Sequence, residues 1–443
     1  MIGLPKLSEV RARLIRSAGW LMARQAITIF NSLVLGILLA RHLGPESFGV
    51  LNYAMSLAVM VMPLTTLGLR NLSLREYVTR PEHADRILGT VTSMRVIGTL
   101  AALVVIFIIS TRFPIEHENI VLLCMLLGVA LLFQAIDTIK EQFIALQNPR
   151  IFVIVEVWVM FAFSISKLLL VLLDSSVDTF ILVAAGEIVA QGIATAVAYY
   201  MRTGKPPQLQ VDRQLMRSYT RSALPLLLGS ISTVIYLKVD ILFLANMVGK
   251  EATGHYAVAT RLSEAWYLLP SALALAAFPR MIELRSEAPG RWHSRMQEAM
   301  DTFAAFGTLV AFTSFFWAAP LISLLFGSEY LPAVALLQIQ VWVGVVFATR
   351  QLIHKYLLAE GMYWGSALIN LTGAFCNVGL NLVLIPRYGA EGAAWATLIS
   401  YTLAPFLLAP MVPSLRPVAK MQIRSILWFR RVFTIFRHDR GDS

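Results

Sequence analysis

Long apolar segments separated by short polar turns form the dominant pattern of this sequence. About twelve windows are each roughly 20 residues long, the length that an α-helix needs to cross a bilayer. Their centres lie near residues 29, 58, 99, 131, 161, 189, 233, 267, 311, 343, 374 and 401. No window shows the alternation of a membrane β-barrel strand, so the pattern predicts helical spans.

The composition supports this prediction. The chain has 443 residues, of which 57% are hydrophobic and 14% are charged. Soluble domains carry about 25% charged residues. Mean hydropathy is +0.69, and the apolar segments are too long for ordinary core helices. These values exclude a soluble all-α protein and predict an all-α integral membrane protein.

The distribution of basic residues predicts the orientation of the spans. The net charge is +11, and most of the 37 Lys and Arg residues lie in alternate connections and in the two termini. Cytoplasmic loops of membrane proteins carry this excess. We therefore expect both termini in the cytoplasm of a multi-pass protein with an even number of spans. The net positive charge is then explained by the orientation of the spans in the membrane, and no nucleic-acid partner is expected.

A short turn recurs half a chain apart and indicates a duplication. Residues 40–56 and 245–261 share five of seventeen positions at an offset of 205, including Gly44 with Gly249 and Gly49 with Gly254. The glycines are expected to serve tight reversals. Two six-helix lobes are predicted, at 1–203 and 220–412, with a cytoplasmic linker at 204–219. Because six is even, a pseudo-two-fold axis along the membrane normal should relate the lobes.

The basic tail over residues 413–443 allows two interpretations. Phe429, Phe433 and Phe436 share one helical face, and arginines surround that face. An interfacial helix on anionic lipids would have this pattern. A partly ordered basic tail remains the alternative.

Several kinds of chemistry have no support in the sequence. There is no GxxxxGK[ST] phosphate loop and no HExxH, GxSxG or DxD pattern, and the two cysteines, Cys124 and Cys376, form no CxxC. No cofactor or metal site is expected. The predicted external loops are too short for the acceptor site of a membrane glycosyltransferase or polymerase. The chain is therefore predicted not to be an enzyme.

Charged residues inside the predicted spans are the candidate functional residues, because a charge at mid-bilayer costs about 2.5–3.5 kcal/mol on insertion scales. They are expected to line a water-filled, net positive cavity. The basic members are Arg24, Arg95, Lys167, Lys238, Arg261 and Arg350. The acidic members are Glu156, Glu187, Asp240 and Glu264.

Spacing along the helices refines these expectations. Arg261 and Glu264 are three residues apart and share a face, so they can pair. Lys238 and Asp240 are two residues apart and should point in different directions. At the 205 offset, the first lobe has Leu33, Leu35, Ser56 and Val59 in place of these four charges. The charges are therefore specific to the second lobe. Our hypothesis is that Arg261, Lys238 and Arg350 attract an anionic headgroup.

At these positions the chain resembles a known family. The segment 40–49, followed by Asn52-Tyr53-Ala54, resembles the first external turn of polysaccharide-repeat flippases of the Wzx type. Asp240 and the run from Gly249 to Glu264 are similar to that family's second lobe, and residues 385–394 are similar to its last external turn. The resemblance covers nearly the whole chain. It is specific for the superfamily of multidrug extruders, oligosaccharide-lipid flippases and lipid II flippases.

The resemblance implies a flippase of the bacterial inner membrane for a polyprenyl-pyrophosphate-linked oligosaccharide, working by alternating access in polysaccharide biosynthesis. A polymerase and chain-length regulators would be its partners. Asp240, Glu264, Glu187 and Glu156 are candidate proton or ion coupling sites. A multidrug antiporter of the same superfamily and a membrane glycosyltransferase or polymerase are the alternatives. An organic-cation antiporter should have an acidic cavity, whereas the charges counted here are net basic.

Overall fold

The computed structural model describes residues 7–287 and 289–427, and this part of the chain is helical without strands. Four short 3₁₀ segments, at 81–83, 131–137, 328–330 and 413–415, interrupt the α-helices. The α-helices are α1 Leu7–Thr66, α2 Arg70–Thr79, α3 Ala84–Arg112, α4 Ile120–Ala130, α5 Thr138–Ala145, α6 Arg150–Leu172, α7 Val177–Thr203, α8 Arg213–Met247, α9 Lys250–Trp266, α10 Leu268–Glu287, α11 Pro289–Phe326, α12 Ala333–Ala359, α13 Tyr363–Leu408 and α14 Arg416–Ile426.

Nine helices in the described part of the chain are long and apolar enough to cross a membrane. Two of them have 64 and 45 residues, at Arg16–Thr79, which includes α2, and at Trp364–Leu408. They are about three times and about twice as long as one span requires. Each of these two accounts for two of the expected spans. Helices α9 and α10 lie at the remaining expected position, near residue 267. The fold class predicted from the pattern, an all-α membrane protein, is confirmed.

Glycines with positive φ break the two longest helices. Gly44 lies inside α1 with φ 69° and ψ 172°, and Gly389 lies inside α13 with φ 57° and ψ −134°. Gly249 precedes α9 with φ 116° and ψ −179°, so the duplicated turn has similar φ and ψ in both copies. Gly327 (φ 102°, ψ 167°) has a related conformation. In all four turns a glutamate follows two residues later, in the first turn of the next helix, where its charge favours the helix dipole.

Contacts divide the chain into two compact units, residues 1–234 and 235–443, with the boundary inside α8. In unit 1, Leu88, Phe143, Phe152 and Tyr199 join α3, α5, α6 and α7 in one buried cluster. A second cluster, around Tyr77 and Tyr219, packs α2 against α3 and the first turns of α8.

Unit 2 has its own core. Trp292, Met296, Leu352, Ile369 and Met421 are all buried in one cluster that includes α11, α12, α13 and α14. Helix α14 contributes Val418 and Met421 to that cluster, whereas its basic residues are exposed. The interfacial helix expected around Phe429, Phe433 and Phe436 lies outside the described residues. The lobe and linker boundaries expected from the sequence stay a prediction.

Candidate functional site

The charged residues of the spans occur in separate polar sites within the two units. In unit 1, Glu156 on α6 accepts bonds from Arg24 of α1 at 3.0 Å and from Lys140 of α5 at 2.6 Å. Lys140 also contacts Asp137 at 2.7 Å. The buried ammonium of Lys140 therefore contacts two carboxylates, Asp137 and Glu156. Arg24, with 34% of its side chain exposed, contacts Glu156 at the edge of this network.

Arg95 of α3 forms a second, more deeply buried ion pair in unit 1. Its Nη2 lies 2.6 Å from Glu141 of α5, and both side chains are at least 93% buried. Ser73 of α2 donates a further hydrogen bond to the same carboxylate. The pair joins three helices, and burial on this scale requires a partner. Arg95 is therefore held inside the unit by Glu141, a residue that the sequence analysis did not select.

Lys167 and Glu187 form the third ion pair of unit 1. Lys167 Nζ on α6 donates to Glu187 Oε2 on α7 at 2.6 Å, and both side chains are less than one fifth exposed. Lys167 and Glu156 are eleven residues apart on α6, about 16 Å along its axis, so they cannot pair with each other. The two carboxylates each hold a different cation.

In unit 2, Lys238 and Asp240 on α8 point in different directions, as their spacing predicts. Lys238 Nζ lies 3.5 Å from Glu264 Oε1 on α9, whereas Asp240 is buried among hydroxyl and amide groups. Arg261 is half-buried on the same helix as Glu264 and experiences its charge. Lys238, Arg261 and Glu264 therefore form one partly exposed group of charges.

Arg350 of α12 has a different environment. It is 4% exposed, and its two terminal nitrogens donate to Tyr236 Oη at 3.1 Å and to Asn370 Oδ1 at 2.7 Å. The guanidinium carbon lies 5.3 Å from the ring centroid of Tyr236 and 4.9 Å from that of Tyr401. The two rings stack with centroids 4.2 Å apart. Within the described residues, every hydrogen-bond partner of this buried cation is neutral.

Asp240 lies at the centre of a buried polar cluster contributed by α8, α9 and α13. Tyr256 donates to its Oδ2 at 2.7 Å, and Thr397 and Asn381 donate to the same carboxylate. The side-chain amide of Asn377 donates to the hydroxyl oxygen of Thr397 at 3.4 Å. The side-chain oxygen of Asn381 is buried and accepts no hydrogen bond from a described residue. The cluster therefore concentrates oxygen atoms around one carboxylate in an apolar unit.

The sequence analysis found the charges and missed most of their partners. Lys140 and Glu141 lie at the end of an apolar window, outside the predicted spans, although Glu141 is 5% exposed. Asn377 and Asn381 are spaced i, i+4 in an apolar run, a signal that was available. Arg24, Arg95, Lys167 and Lys238 each have a carboxylate partner, so the span charges occur mainly as local ion pairs.

The long apolar helices and their buried charges define a multi-pass helical membrane protein. The chain belongs to the family described as "Polysaccharide biosynthesis protein", whose model matches residues 14–285 of this chain. It is similar to the "Probable flippase AglR" of Haloferax volcanii, with 27% identity over 197 residues. That match covers 42% of this chain and 40% of the relative, so the chain aligns with about two fifths of the relative's length.

Solved structures with the same fold include a flippase and a multidrug transporter. A structure titled "Lipid II flippase MurJ, inward closed conformation" matches with a TM-score of 0.70 at 14% identity, covering 95% of this chain and 93% of that chain. An inward-facing multidrug resistance MATE family transporter of the MOP superfamily matches with a TM-score of 0.57 at 15% identity, covering 93% of this chain and 96% of that chain. At 14–15% identity, the similarity to these structures establishes the fold. It is the fold that the family resemblance in the sequence implied.

Proposed function

We propose that this chain is a flippase that moves a polyprenyl-pyrophosphate-linked oligosaccharide across the bacterial inner membrane. Membership of the polysaccharide biosynthesis family supports this substrate class, and the flippase title of the Haloferax relative supports the activity. Glycan and pyrophosphate would cross through a polar cavity by alternating access, while the lipid tail stays in the bilayer. The chain makes and breaks no covalent bond of its substrate.

Arg350 is the observation that carries the proposal. A guanidinium in an apolar interior is costly unless an anion compensates it, and the described partners of Arg350 are neutral. Tyr236 and Tyr401 stabilise the cation through their ring faces. An anionic headgroup supplies the missing negative charge. The same positive charge repels organic cations, which disfavours a multidrug antiporter.

The paired basic residues have a second role in this proposal. Lys238 and Arg24 keep 23% and 34% of their side chains exposed while each contacts a carboxylate. A pyrophosphate carries more charge than one carboxylate, so it can exchange with Glu264 or Glu156 as a partner. Arg261 and Lys167 complete the proposed cationic set. Arg95, which the sequence also placed in that set, is neutralised by Glu141 and has a structural role instead.

Asp240 is the proposed coupling site. Its carboxylate and the free oxygen of Asn381 lie in one buried cluster with Thr397 and Tyr256. Carboxylate, carbonyl and hydroxyl oxygens are the ligands of small hard cations, and a proton on Asp240 would also remove its charge. Either ion, on binding, changes the charge of unit 2. Glu264, Glu187 and Glu156 are already paired with cations and are secondary candidates.

The remaining parts of the proposal concern location and partners. Both termini lie in the cytoplasm, as the distribution of basic residues indicates. A polysaccharide polymerase and chain-length regulators would receive or organise the translocated repeat unit. Anionic lipids would contact the basic tail.

Substitution of Arg350 tests the headgroup assignment. The rate of translocation of a polyprenyl-pyrophosphate oligosaccharide is measured in proteoliposomes that contain equal amounts of folded protein. Arg350→Gln removes the charge and should reduce the rate by about tenfold or more, as expected for a lost charged hydrogen bond of about 1.5–3 kcal/mol. Arg350→Lys keeps the charge and should retain part of the activity.

Arg295→Gln is the matched control. Arg295 is exposed and lies 2.8 Å from Glu298 on its own helix, so its loss should leave the rate unchanged. An undiminished rate for Arg350→Gln would contradict the headgroup assignment.

A further inference from the structure

The first turns of α8 carry a row of arginines on one exposed face. Arg213, Arg217 and Arg221 follow each other at intervals of four residues, and all three are exposed. The spacing places them on one side of the helix, along about 12 Å of its axis. We call this row the arginine face of α8.

The opposite side of the same turns is buried in unit 1. Tyr219 and Ala223 are 3% and 4% exposed, and they pack with Leu69, Tyr77 and Ile87 in one cluster. The orientation of α8 is therefore fixed by its core side. The arginine face points away from that cluster.

The arginine face continues as an apolar face. Leu224 and Leu228 follow Arg221 at the next helical intervals of three and four residues, and they are 56% and 57% exposed. Exposed leucines on a spanning helix face the hydrocarbon of the bilayer. Arg221 lies about 4.5 Å and Arg217 about 10.5 Å along the axis from Leu224, which places both at the level of the lipid headgroups.

Among the residues that the structure describes, none of these three arginines has an acidic partner. The sequence contains no Asp or Glu between residues 213 and 239. None of the three guanidinium groups forms an ion pair or a side-chain hydrogen bond within the described part of the molecule. By contrast, the exposed arginines Arg75 and Arg80 lie within 4 Å of Glu76.

We propose that the arginine face of α8 binds the phosphates of acidic phospholipids in the leaflet at the Arg213 end of the helix. Guanidinium groups bind phosphate bidentately, and basic residues at the membrane surface contribute about 1 kcal/mol each toward anionic lipid. Three aligned arginines match adjacent headgroups or one lipid with two phosphates. The bound lipids hold the start of α8, the helix that leads from unit 1 into unit 2.

Lipid binding to the purified full-length chain tests this proposal. The delipidated protein in uncharged detergent is titrated with phosphatidylglycerol and, separately, with phosphatidylcholine, and bound lipids are counted by native mass spectrometry. The wild-type chain should retain phosphatidylglycerol preferentially. The triple variant R213Q/R217Q/R221Q should bind it about a hundredfold more weakly, and R213K/R217K/R221K should keep most of the preference.

The matched control is R75Q/R80Q/R295Q, which removes the same formal charge from exposed arginines that already have carboxylate partners. It should bind phosphatidylglycerol as the wild type does. Equal losses in both triple variants would show general charge attraction and overturn the proposal. So would unchanged binding by the Gln variant of α8, or displacement of phosphatidylglycerol by equimolar polyprenyl phosphate, which would make the substrate lipid the occupant.

Discussion

At the residue scale, the charges inside this protein are organised by their partners. Arg95 and Glu141 neutralise each other within unit 1, whereas Arg350 is surrounded by neutral groups in unit 2. These two environments predict different consequences of substitution. Loss of Arg95 should affect stability, and loss of Arg350 should affect transport.

Substitution of Arg95 tests its structural role. Arg95→Leu leaves Glu141 buried without its cation, which should destabilise the protein by about 3–5 kcal/mol. The apparent melting temperature in detergent should fall clearly. The double variant Arg95→Leu/Glu141→Leu should recover most of the loss, because no unpaired charge remains. Exposed Arg86 is the control, and Arg86→Leu should change little. A destabilisation by Arg95→Leu that the double variant does not reduce would contradict the pairing argument.

Asp240 permits a test of energy coupling. Asp240→Asn preserves the shape of the side chain and removes its charge, so the buried cluster should no longer exchange a proton or a small cation. Translocation down a substrate gradient should persist, while its dependence on a pH or sodium gradient should disappear. The comparison uses proteoliposomes with and without each gradient. If the variant responds to the gradients as the wild type does, Asp240 is not the coupling site.

At the residue scale, the sequence predicts the buried charges but not the residues that they pair with. Charges in apolar windows are visible directly, and the different directions of Lys238 and Asp240 follow from helix geometry alone. The partners are not visible, because they are distant in sequence: Arg24 meets Glu156 and Asp240 meets Thr397. Such pairs depend on how helices pack, and the periodicity of one helix carries no information about its neighbour.

At the scale of elements, glycines determine where helices reverse and how closely they approach. The turn at Gly44 recurs at Gly249 with similar φ and ψ, and the sequence repeat predicted this correspondence. Two further turns, at Gly327 and Gly389, combine positive φ with a glutamate two residues later. The sequence repeat does not include these two turns, because their other residues differ from those around Gly44 and Gly249.

Gly344 of α12 marks a close helix contact that the sequence pattern did not reveal. A Cβ atom at this position would lie 2.0 Å from the indole ring of Trp266. Gly344→Ala should therefore displace Trp266 and destabilise the protein by about 1–3 kcal/mol. Gly379→Ala is the control, since nothing lies within 4 Å of its added Cβ, and the helix should gain up to about 1 kcal/mol. Equal melting temperatures for the two variants would contradict the packing assigned to Trp266.

At the scale of the whole molecule, the hydrophobic pattern alone predicts an all-α membrane protein. Every expected span centre lies in a helix except the one near residue 267, which falls at the turn between α9 and α10. Hydrophobicity is a local property that each segment carries by itself, which explains this success. The hydrophobic pattern does not predict which glycan is bound, because sugars are bound by dispersed polar and aromatic side chains that no sequence pattern marks. The family membership supplies the biological context that composition lacks.

The most direct test of the central claim is translocation by the purified chain. Proteoliposomes containing a labelled polyprenyl-pyrophosphate oligosaccharide are compared with protein-free liposomes, and the label that reaches the opposite leaflet is measured with a membrane-impermeant glycosidase. A flippase should expose the oligosaccharide much faster than empty liposomes do, without exporting organic cations. Equal exposure in both kinds of liposome, or transport of organic cations alone, would contradict the account.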